Sequence, residues 1–572
     1  MTISQLLLSH RLNDDASTKP ALIDGATGET TYTFGSFRLA VKRMANYFQS
    51  DIGLRRGAVV GILQHNSVDF PVLVHGILAA GGVVSAFNPF HRSQEICHYL
   101  TVARPEIVIV DAKLAGLLSS GLALANLHSV PRVYIQEDSI DNPSMHQLTF
   151  NLRHIIQNGR DNFDEPTSGS ELESRQTAFI CFSSGTSGTM KGVRLTHENI
   201  VANIFQHRQR LEGMFASDTV TALITPFFHI LGLGVFVCQY LCQVITHINI
   251  VPPIALQFLN FRHETPDFSS LRCLINAAAP LHESVSAELS QRMGCKVTQW
   301  YGMTEAAPSV ISQREDEVGV SGTIGKILPG ISIRILDSDG RECTHDQIGE
   351  IQIKGPNIMP GYVGGENLNS TSFVDGYLKT GDIGRIDQNG YVFLKGRAKE
   401  MIKVKGNQVA PAELETILLS HPKVDDAAVE GIFFEDEATE YPAAYIVTAD
   451  QVDNYQTLQR EVQTYVDNQV AAYKHLRGGV NIVTSIPRKS FAICLLKHQS
   501  SPDHSSFDKR YIPAANVLPG WQHFQVFDSH RARLMIRERY SFRSSPMLPI
   551  ACVFSKKHAV NTWSVGSSCS LR

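Results

Sequence analysis

Ala178-Phe179-Ile180-Cys181-Phe182-Ser183-Ser184-Gly185-Thr186-Ser187-Gly188-Thr189-Met190-Lys191-Gly192 runs from five apolar residues into a loop of hydroxyls, glycines and one lysine. The apolar part has the length of a buried strand. Beyond it, the glycines let the backbone curl so that several N–H groups point inward, and the hydroxyls and the ammonium add further donors. Such a loop suits a polyphosphate. It is not a Walker A loop, which needs Gly where Met190 stands. Read alone, the same composition also describes a flexible Ser/Gly linker, so the rest of the chain has to decide.

A chain of 572 residues exceeds one ordinary core, and two or more domains are expected. Hydrophobic content of 43% with 19% charged residues describes a globular chain rather than a disordered one. A net charge of −4 gives no case for nucleic acid or an anionic membrane as partner. The ten cysteines form no Cys-x-x-Cys pair. With no N-terminal signal peptide visible, reduced intracellular thiols are expected. Residues 219–261 contain no Asp, Glu, Lys or Arg, but prolines and glycines interrupt them. A strand, a loop and a buried helix are expected there rather than a transmembrane span.

Strand signals at 59–63, 82–85 and 106–111, with a helix over 70–80, predict an α/β class with a mostly parallel sheet covered on both faces. The same rhythm returns at 273–276 and 296–298. From about 324 to 394 short alternating strands between Asp/Gly turns predict a small β-barrel or antiparallel sheet. A smaller α+β unit follows, with helices expected over 412–420 and 458–470 and strands at 427–429 and 445–447. After Arg488 the texture changes to a Ser-, His-, Phe- and Arg-rich stretch with weak periodicity.

Five more segments stand out. Thr225-Pro226-Phe227-Phe228-His229 ends an apolar run in a histidine, and Asn276-Ala277-Ala278-Ala279-Pro280 offers small residues against which a flat ring could lie. Tyr301-Gly302-Met303-Thr304-Glu305 combines an aromatic, a hydroxyl and a carboxylate, while Thr380-Gly381-Asp382 sets an Asp after a turn. Gly396-Arg397-Ala398-Lys399-Glu400 precedes Lys403, Lys405, Gly406 and Gln408. Singly, each has an ordinary structural explanation: a core histidine, a turn, a solvated basic face. Their order and spacing together are harder to dismiss.

With these segments the chain resembles the adenylate-forming superfamily over about residues 20–488, most closely its acyl-CoA synthetase and 4-coumarate–CoA ligase-like branch. The resemblance implies a large N-terminal domain over 1–395 with a barrel subdomain at about 324–395. It further implies a hinge at 396–400 containing Lys399, and a mobile C-terminal lid over 401–488. It implies an ATP-dependent acid–CoA ligase that forms an acyl-adenylate, then an acyl-CoA thioester, using ATP, Mg²⁺ and coenzyme A. By the same resemblance, Ser183 to Lys191 would cradle the β- and γ-phosphates. Thr304 and Glu305 would hold the α-phosphate and the metal. Ala277, Ala278, Ala279 and Tyr301 would enclose adenine, and Asp382 with Arg397 would bind the ribose hydroxyls. Lys403 and Gln408 would face the adenylate, and Lys405 with Gly406 would border the thiol path. His229, Ala278, Gly302 and Val310 would line an apolar acyl pocket, with His229 near the carboxylate. The absence of acidic residues from 219–261 argues for an uncharged acid: aromatic, medium-chain or polyketide-like. Fungal secondary metabolism, toxin assembly included, fits by general resemblance.

One segment departs from the family. Pro487-Arg488-Lys489-Ser490 approaches the family's C-terminal lysine motif, but Phe491-Ala492-Ile493-Cys494 stands where Ser-Gly-Lys-Ile is expected. Residues 489–572 are therefore expected to be an atypical tail, frame-shifted or intron-derived, with a genuine added domain as the alternative. Its final Ser570-Leu571-Arg572 lacks the peroxisomal address of many relatives, so a cytoplasmic location is expected. Two alternatives stay open, a catalytically impaired adenylate-binding pseudoenzyme and a luciferase-like monooxygenase. The oligomeric state is not legible in the chain.

Overall fold

The computed structural model describes residues 1–8, 17–24, 29–136, 148–163, 171–183, 190–211, 221–222, 224–234, 246–260, 268, 270–281, 283–398, 400–405, 407–434, 437, 439–448, 454–486, 488–489 and 492–493. Three sheets and a C-terminal α+β unit organise them.

The largest sheet has eight strands in the order Gly361–Tyr362, Lys191–Thr196, Thr177–Ser183, Val83–Ala86, Val59–Leu63, Ile107–Asp111, Arg132–Gln136 and Leu148–Phe150. Pairing is parallel from Thr177–Ser183 to the Leu148–Phe150 edge. Its inner strands are continuous apolar runs because both faces are covered. Ile107, Val108, Ile109 and Val110 are all fully buried. Helix Phe70–Ala79 is likewise buried along its whole length. Helix Phe34–Asn46 packs on it, opened by a Thr33–Ser36 capping box. A Cβ on Gly76 would lie 2.3 Å from Met44 Cγ, so glycine sets how closely the two helices approach.

The second sheet runs Thr221–Ala222, His247–Ile250, Cys273–Asn276, Lys296–Gly302, Ser309–Ser312 and Lys326–Ile327. Its first four strands are parallel, and the chain then reverses through a tight turn at Thr304–Ala306 into antiparallel pairing. The third sheet is antiparallel and five-stranded, with Tyr377–Ile386 at its centre and Val392–Arg397 beside it. That last strand runs through Gly396 and Arg397, so two residues of the expected hinge segment belong to its ladder.

The C-terminal unit has its own core. Strands Val424–Phe434, Thr439–Thr448 and Val480–Ile482 carry helices Pro411–Leu419 and Tyr455–Asp467. Leu458, Val462 and Val466 repeat every fourth residue and bury one face of the second helix. This helix begins three residues before its expected start, because Asn454 caps it by accepting from the Thr457 amide. Both long strands outrun the expected cores at 427–429 and 445–447, because they pair with each other over almost their full length. Ile383, Met401 and Ala410 join the unit to the third sheet, with Ala398 packed against them.

Among the described residues, no helix is long and apolar enough to cross a membrane. Within 219–261, residues 235–245 lie outside the description, so the buried helix expected there is not described; Pro252–Asn260 forms a helix. The 494–572 stretch also lies outside the described residues.

Candidate active site

The phosphate-loop candidate leaves one strand and returns on its neighbour. Ser183 ends the first, Lys191 begins the second, and the two are antiparallel register partners. Residues 184–189 themselves lie outside the described residues. The ends of the loop converge on Glu305. Ser183 Oγ donates to Glu305 Oε1 at 2.9 Å, and Tyr362 Oη donates to the same oxygen at 2.9 Å. Lys191 Nζ lies 4.9 Å from the centre of the Tyr362 ring, within cation–π range. Burial, and then the neighbouring Glu305 charge, pushes the Tyr362 phenol above its ordinary pKa, so it stays a donor at neutral pH.

Tyr301, four residues upstream of Glu305, joins a second cluster. Its hydroxyl donates to Asp382 Oδ2 at 2.6 Å, while Arg397 Nε lies 3.1 Å from Asp382 Oδ1. Asp382 is a direct register partner of Arg397 on the adjacent strand. The Asp382 side chain is 8% exposed and the Arg397 side chain 44%, so the pair has a buried acceptor and an accessible donor. Such a pair can hold a cis-diol from both sides. Burial pushes the Asp382 carboxyl above its ordinary value, opposed by Arg397 and by the Tyr301 hydroxyl. Glu305 is close enough for its charge to act on Arg397, so the two clusters share one electrostatic environment.

Ala277 is buried after strand Cys273–Asn276, and Ala278 adopts a left-handed φ of 69°. Asn276 Nδ2 holds the turn by donating to the Ala279 carbonyl at 2.8 Å. Thr304 is buried in the tight turn with Glu305. At Gly302 a Cβ would fall 1.9 Å from the Pro308 carbonyl oxygen, so the two backbones meet where no side chain fits. Val310 is fully buried in the following strand, within the main apolar core. His229 is partly exposed just ahead of a short helical turn, and its Nδ1 accepts from the Leu231 amide at 3.2 Å. That bond leaves the proton of the neutral ring on Nε2. Burial lowers its pKa to about 4, so the ring is neutral at pH 7.

The C-terminal candidates sit apart from these clusters. Lys403 is exposed, and its amide donates to Glu440 Oε2 at 2.8 Å. Lys405, at a left-handed φ of 46°, places Nζ 2.6 Å from Glu437 Oε2. Among the described residues, no hydrogen bond or ion pair links Lys403 or Lys405 to Glu305, Asp382 or Arg397. Gln408 is described only as backbone, paired with Lys403. Lys399 and Gly406 lie outside the described residues.

Sequence reasoning assigned Tyr362 no role of its own, yet its hydroxyl lies as close to Glu305 Oε1 as that of Ser183. The available signal was an aromatic hydroxyl directly after Gly361 in a short segment flanked by Gly and Pro. No group of three or more His, Cys, Asp and Glu side chains that could hold a metal is gathered among the described residues. A lone carboxylate beside a phosphate loop nevertheless fits Mg²⁺, which binds one or two carboxylates and takes its other ligands from phosphates and water.

A model of the AMP-binding enzyme family matches residues 10–244 and 241–363, and one of the AMP-binding enzyme C-terminal domain matches 413–490. The chain is 32% identical to a probable 4-coumarate–CoA ligase 1 of Dictyostelium discoideum, over 87% of this chain and 94% of that protein. It is 31% identical to the acyl-CoA ligase azaF of Aspergillus niger, over 82% of this chain and 93% of that one. The solved structure of ATP-bound MatB from Rhodopseudomonas palustris superposes with a TM-score of 0.72 at 26% identity, over 86% of this chain and 97% of that chain. With its three sheets, its C-terminal unit and both family models matched along the chain, this protein belongs to the AMP-binding enzyme family.

Proposed function

We propose that this chain is an ATP-dependent acid–CoA ligase that converts a carboxylic acid to an acyl-adenylate and then to its CoA thioester. The observation that carries the reading is the Tyr301–Asp382–Arg397 cluster, a ribose-binding arrangement that shares its surroundings with Glu305 and the strand ends of the phosphate loop. Joining a carboxylate to a phosphate brings two anions together, so the protein's task is charge neutralisation and in-line positioning. Ser183, the 184–189 loop and Lys191 hold the outer phosphates, and Thr304 holds the α-phosphate. Glu305 holds Mg²⁺, which when bound offsets phosphate charge. Ala277 to Ala279 and Tyr301 enclose the adenine. The acid lies against His229, Ala278, Gly302 and Val310, and their apolar character favours an uncharged aromatic, medium-chain or polyketide-like acyl group. Names among the relatives support that range, since one of Aspergillus niger is called a phenylacetyl-CoA ligase.

The division of labour follows the domain reading: residues 1–395 carry adenylation, Lys399 acts in a hinge at 396–400, and 401–488 form a moving lid. Lys403, Gln408, Lys405 and Gly406 act only after a rotation that brings the lid over the site. Their present partners, Glu440 and Glu437, belong to the lid itself.

A second reading rests on one specific feature. Phe491-Ala492-Ile493-Cys494 replaces the expected lysine motif, and the match to the C-terminal family model ends at residue 490. On that reading the chain binds nucleotide but adenylates poorly, because losing one charge-stabilising donor costs roughly 10²–10³ in rate. Acid-dependent pyrophosphate release with Mg·ATP, over a panel of aliphatic and aromatic acids, separates the two. Release with some acids supports the ligase. No release from a folded protein that binds ATP supports the impaired form.

A further inference from the structure

The turn that carries Thr304 and Glu305 is braced from behind by buried amide side chains. Asn357 is fully buried, and its Nδ2 donates to the Ala306 carbonyl at 2.8 Å and the Ser309 carbonyl at 3.0 Å. Its Oδ1 accepts from Gln206 Nε2 at 3.3 Å. Gln206 Oε1 accepts in turn from Asn203 Nδ2 at 3.0 Å, and Asn203 also donates to the Ser309 carbonyl at 2.9 Å. One turn earlier, Asn199 donates to the carbonyls of Pro356 and Ile358 at 2.8 and 2.9 Å. The Met359 amide then donates to the Glu305 carbonyl at 2.8 Å.

These bonds close a ring. Strand Lys191–Thr196, which leaves the phosphate loop, runs directly into helix His197–Arg210, which carries Asn199, Asn203 and Gln206. That helix grips the loop at 356–359, and this loop leads to Tyr362, whose hydroxyl returns to the Glu305 carboxylate. Tyr362 is also paired along the backbone with Val193 of the same outgoing strand. A tight turn leaves carbonyls that need donors, and buried amides supply them with little freedom to move.

We propose that Asn357, with Gln206 and Asn203 behind it, is a positioning residue that fixes the Glu305 carboxylate for the Mg²⁺-bound phosphates. This rests on the proposed role of Glu305. Outer partners of a metal-binding side chain commonly change metal affinity about 10–100-fold when removed.

The test compares ATP affinity with and without Mg²⁺, by calorimetry on the full chain, and needs no turnover. AMP affinity without Mg²⁺ is the control, because it reads the Asp382–Arg397 side of the site. Asn357→Ala is expected to lose about tenfold of the Mg²⁺-dependent gain in ATP affinity while AMP affinity stays within about twofold. Gln206→Leu, a milder change should Asn357→Ala fold poorly, is expected to lose a smaller part of the same gain. A parallel fall in ATP and AMP affinity, or a wild-type Mg²⁺ gain in both variants, overturns the proposal. Glu305→Gln separates the two layers. If it loses the gain and both brace variants keep it, the brace alone falls. If it keeps the full gain, the role of Glu305 falls as well.

Discussion

Asp382 and Arg397 face each other as register partners on antiparallel strands, with Arg397 Nε 3.1 Å from Asp382 Oδ1 and the Tyr301 hydroxyl 2.6 Å from Oδ2. Both carboxylate oxygens are therefore engaged within the protein. Hydrogen bonds to a charged group contribute about 1.5–3 kcal/mol, so Asp382→Ala should weaken AMP binding about 10–100-fold. It should abolish adenylation without unfolding the chain. Calorimetric titration with AMP, together with a circular dichroism spectrum, checks both halves. Unchanged AMP affinity would remove Asp382 from the site.

The raised pKa of Asp382 has two consequences of opposite sign. Because burial makes the folded chain hold that proton more tightly than the unfolded one, this group's contribution to stability falls as pH rises from the ordinary carboxylate value through the raised one. Above that interval it is constant. The ribose binding proposed for Asp382 runs the other way, since the ionised carboxylate is the stronger acceptor. AMP affinity should rise with pH across the same interval and then level off, and Asp382→Asn should flatten the profile. A profile identical in the wild type and Asp382→Asn would assign the titration to another group.

The sequence exposed Asp382, Arg397, Tyr301 and Glu305 as candidates, because each stands in a short segment of distinctive composition. It could not expose that the Tyr301 hydroxyl closes on Asp382, a contact across 81 residues made by two different sheets. The contacts of Tyr362 and Asn357 were hidden for a related reason. A segment rich in Gly and Pro does not show which partners its polar residues meet, and only packing against helix His197–Arg210 shows that Asn357 is fully buried. The parallel strands were plain because Ile107, Val108, Ile109 and Val110 are an unbroken apolar run. Strand Val424–Phe434 was shortened because Asp425, Asp426 and Gly431 interrupt its pattern, and its length comes from pairing with Thr439–Thr448.

Three buried histidines and the half-buried His229 should make the fold acid-sensitive. Burial lowers His197, His207 and His229 to about 4, and His75 to about 3. An unfolded histidine takes up its proton near pH 6.5, so the unfolded state binds more protons below that value. Stability is fully present above pH 6.5 and is lost progressively down to about pH 4, with His75 extending the loss to about pH 3. Chemical denaturation at several pH values should show the decline. His207→Phe preserves a ring against Trp300, 4.6 Å away, and should reduce the slope by up to one proton. An unchanged slope would mean that His207 does not titrate on unfolding.

Gly302 sits where strand Lys296–Gly302 meets the backbone returning from the Glu305 turn. A methyl group there would lie 1.9 Å from the Pro308 carbonyl oxygen and 2.8 Å from Ser309 Cα, both of them backbone atoms. Rigid neighbours cannot yield as a flexible side chain would, so Gly302→Ala should destabilise the fold by about 3 kcal/mol. A shift of less than about 0.5 kcal/mol would show that the turn moves freely, and the brace through Asn357 would lose its purpose.

Ile493 occupies the position at which the family resemblance expects a catalytic lysine. It pairs with Arg488 in a short antiparallel ladder, Arg488–Lys489 against Ala492–Ile493, so a backbone able to present a side chain there already exists. A lysine at this point would add one cation for a reaction that joins two anions, and such a donor is worth roughly 10²–10³ in rate. The double variant Ala492→Gly, Ile493→Lys should therefore raise acid-dependent pyrophosphate release about 100-fold over the wild-type chain. It should leave AMP affinity unchanged, because Asp382 and Arg397 are untouched. Equal rates in the two proteins would mean either that another cation already serves the wild-type site or that 488–493 never reaches it. Measuring release from Lys489→Ala decides between these: a large loss would identify Lys489 as that cation, and no loss would take the whole segment out of the reaction.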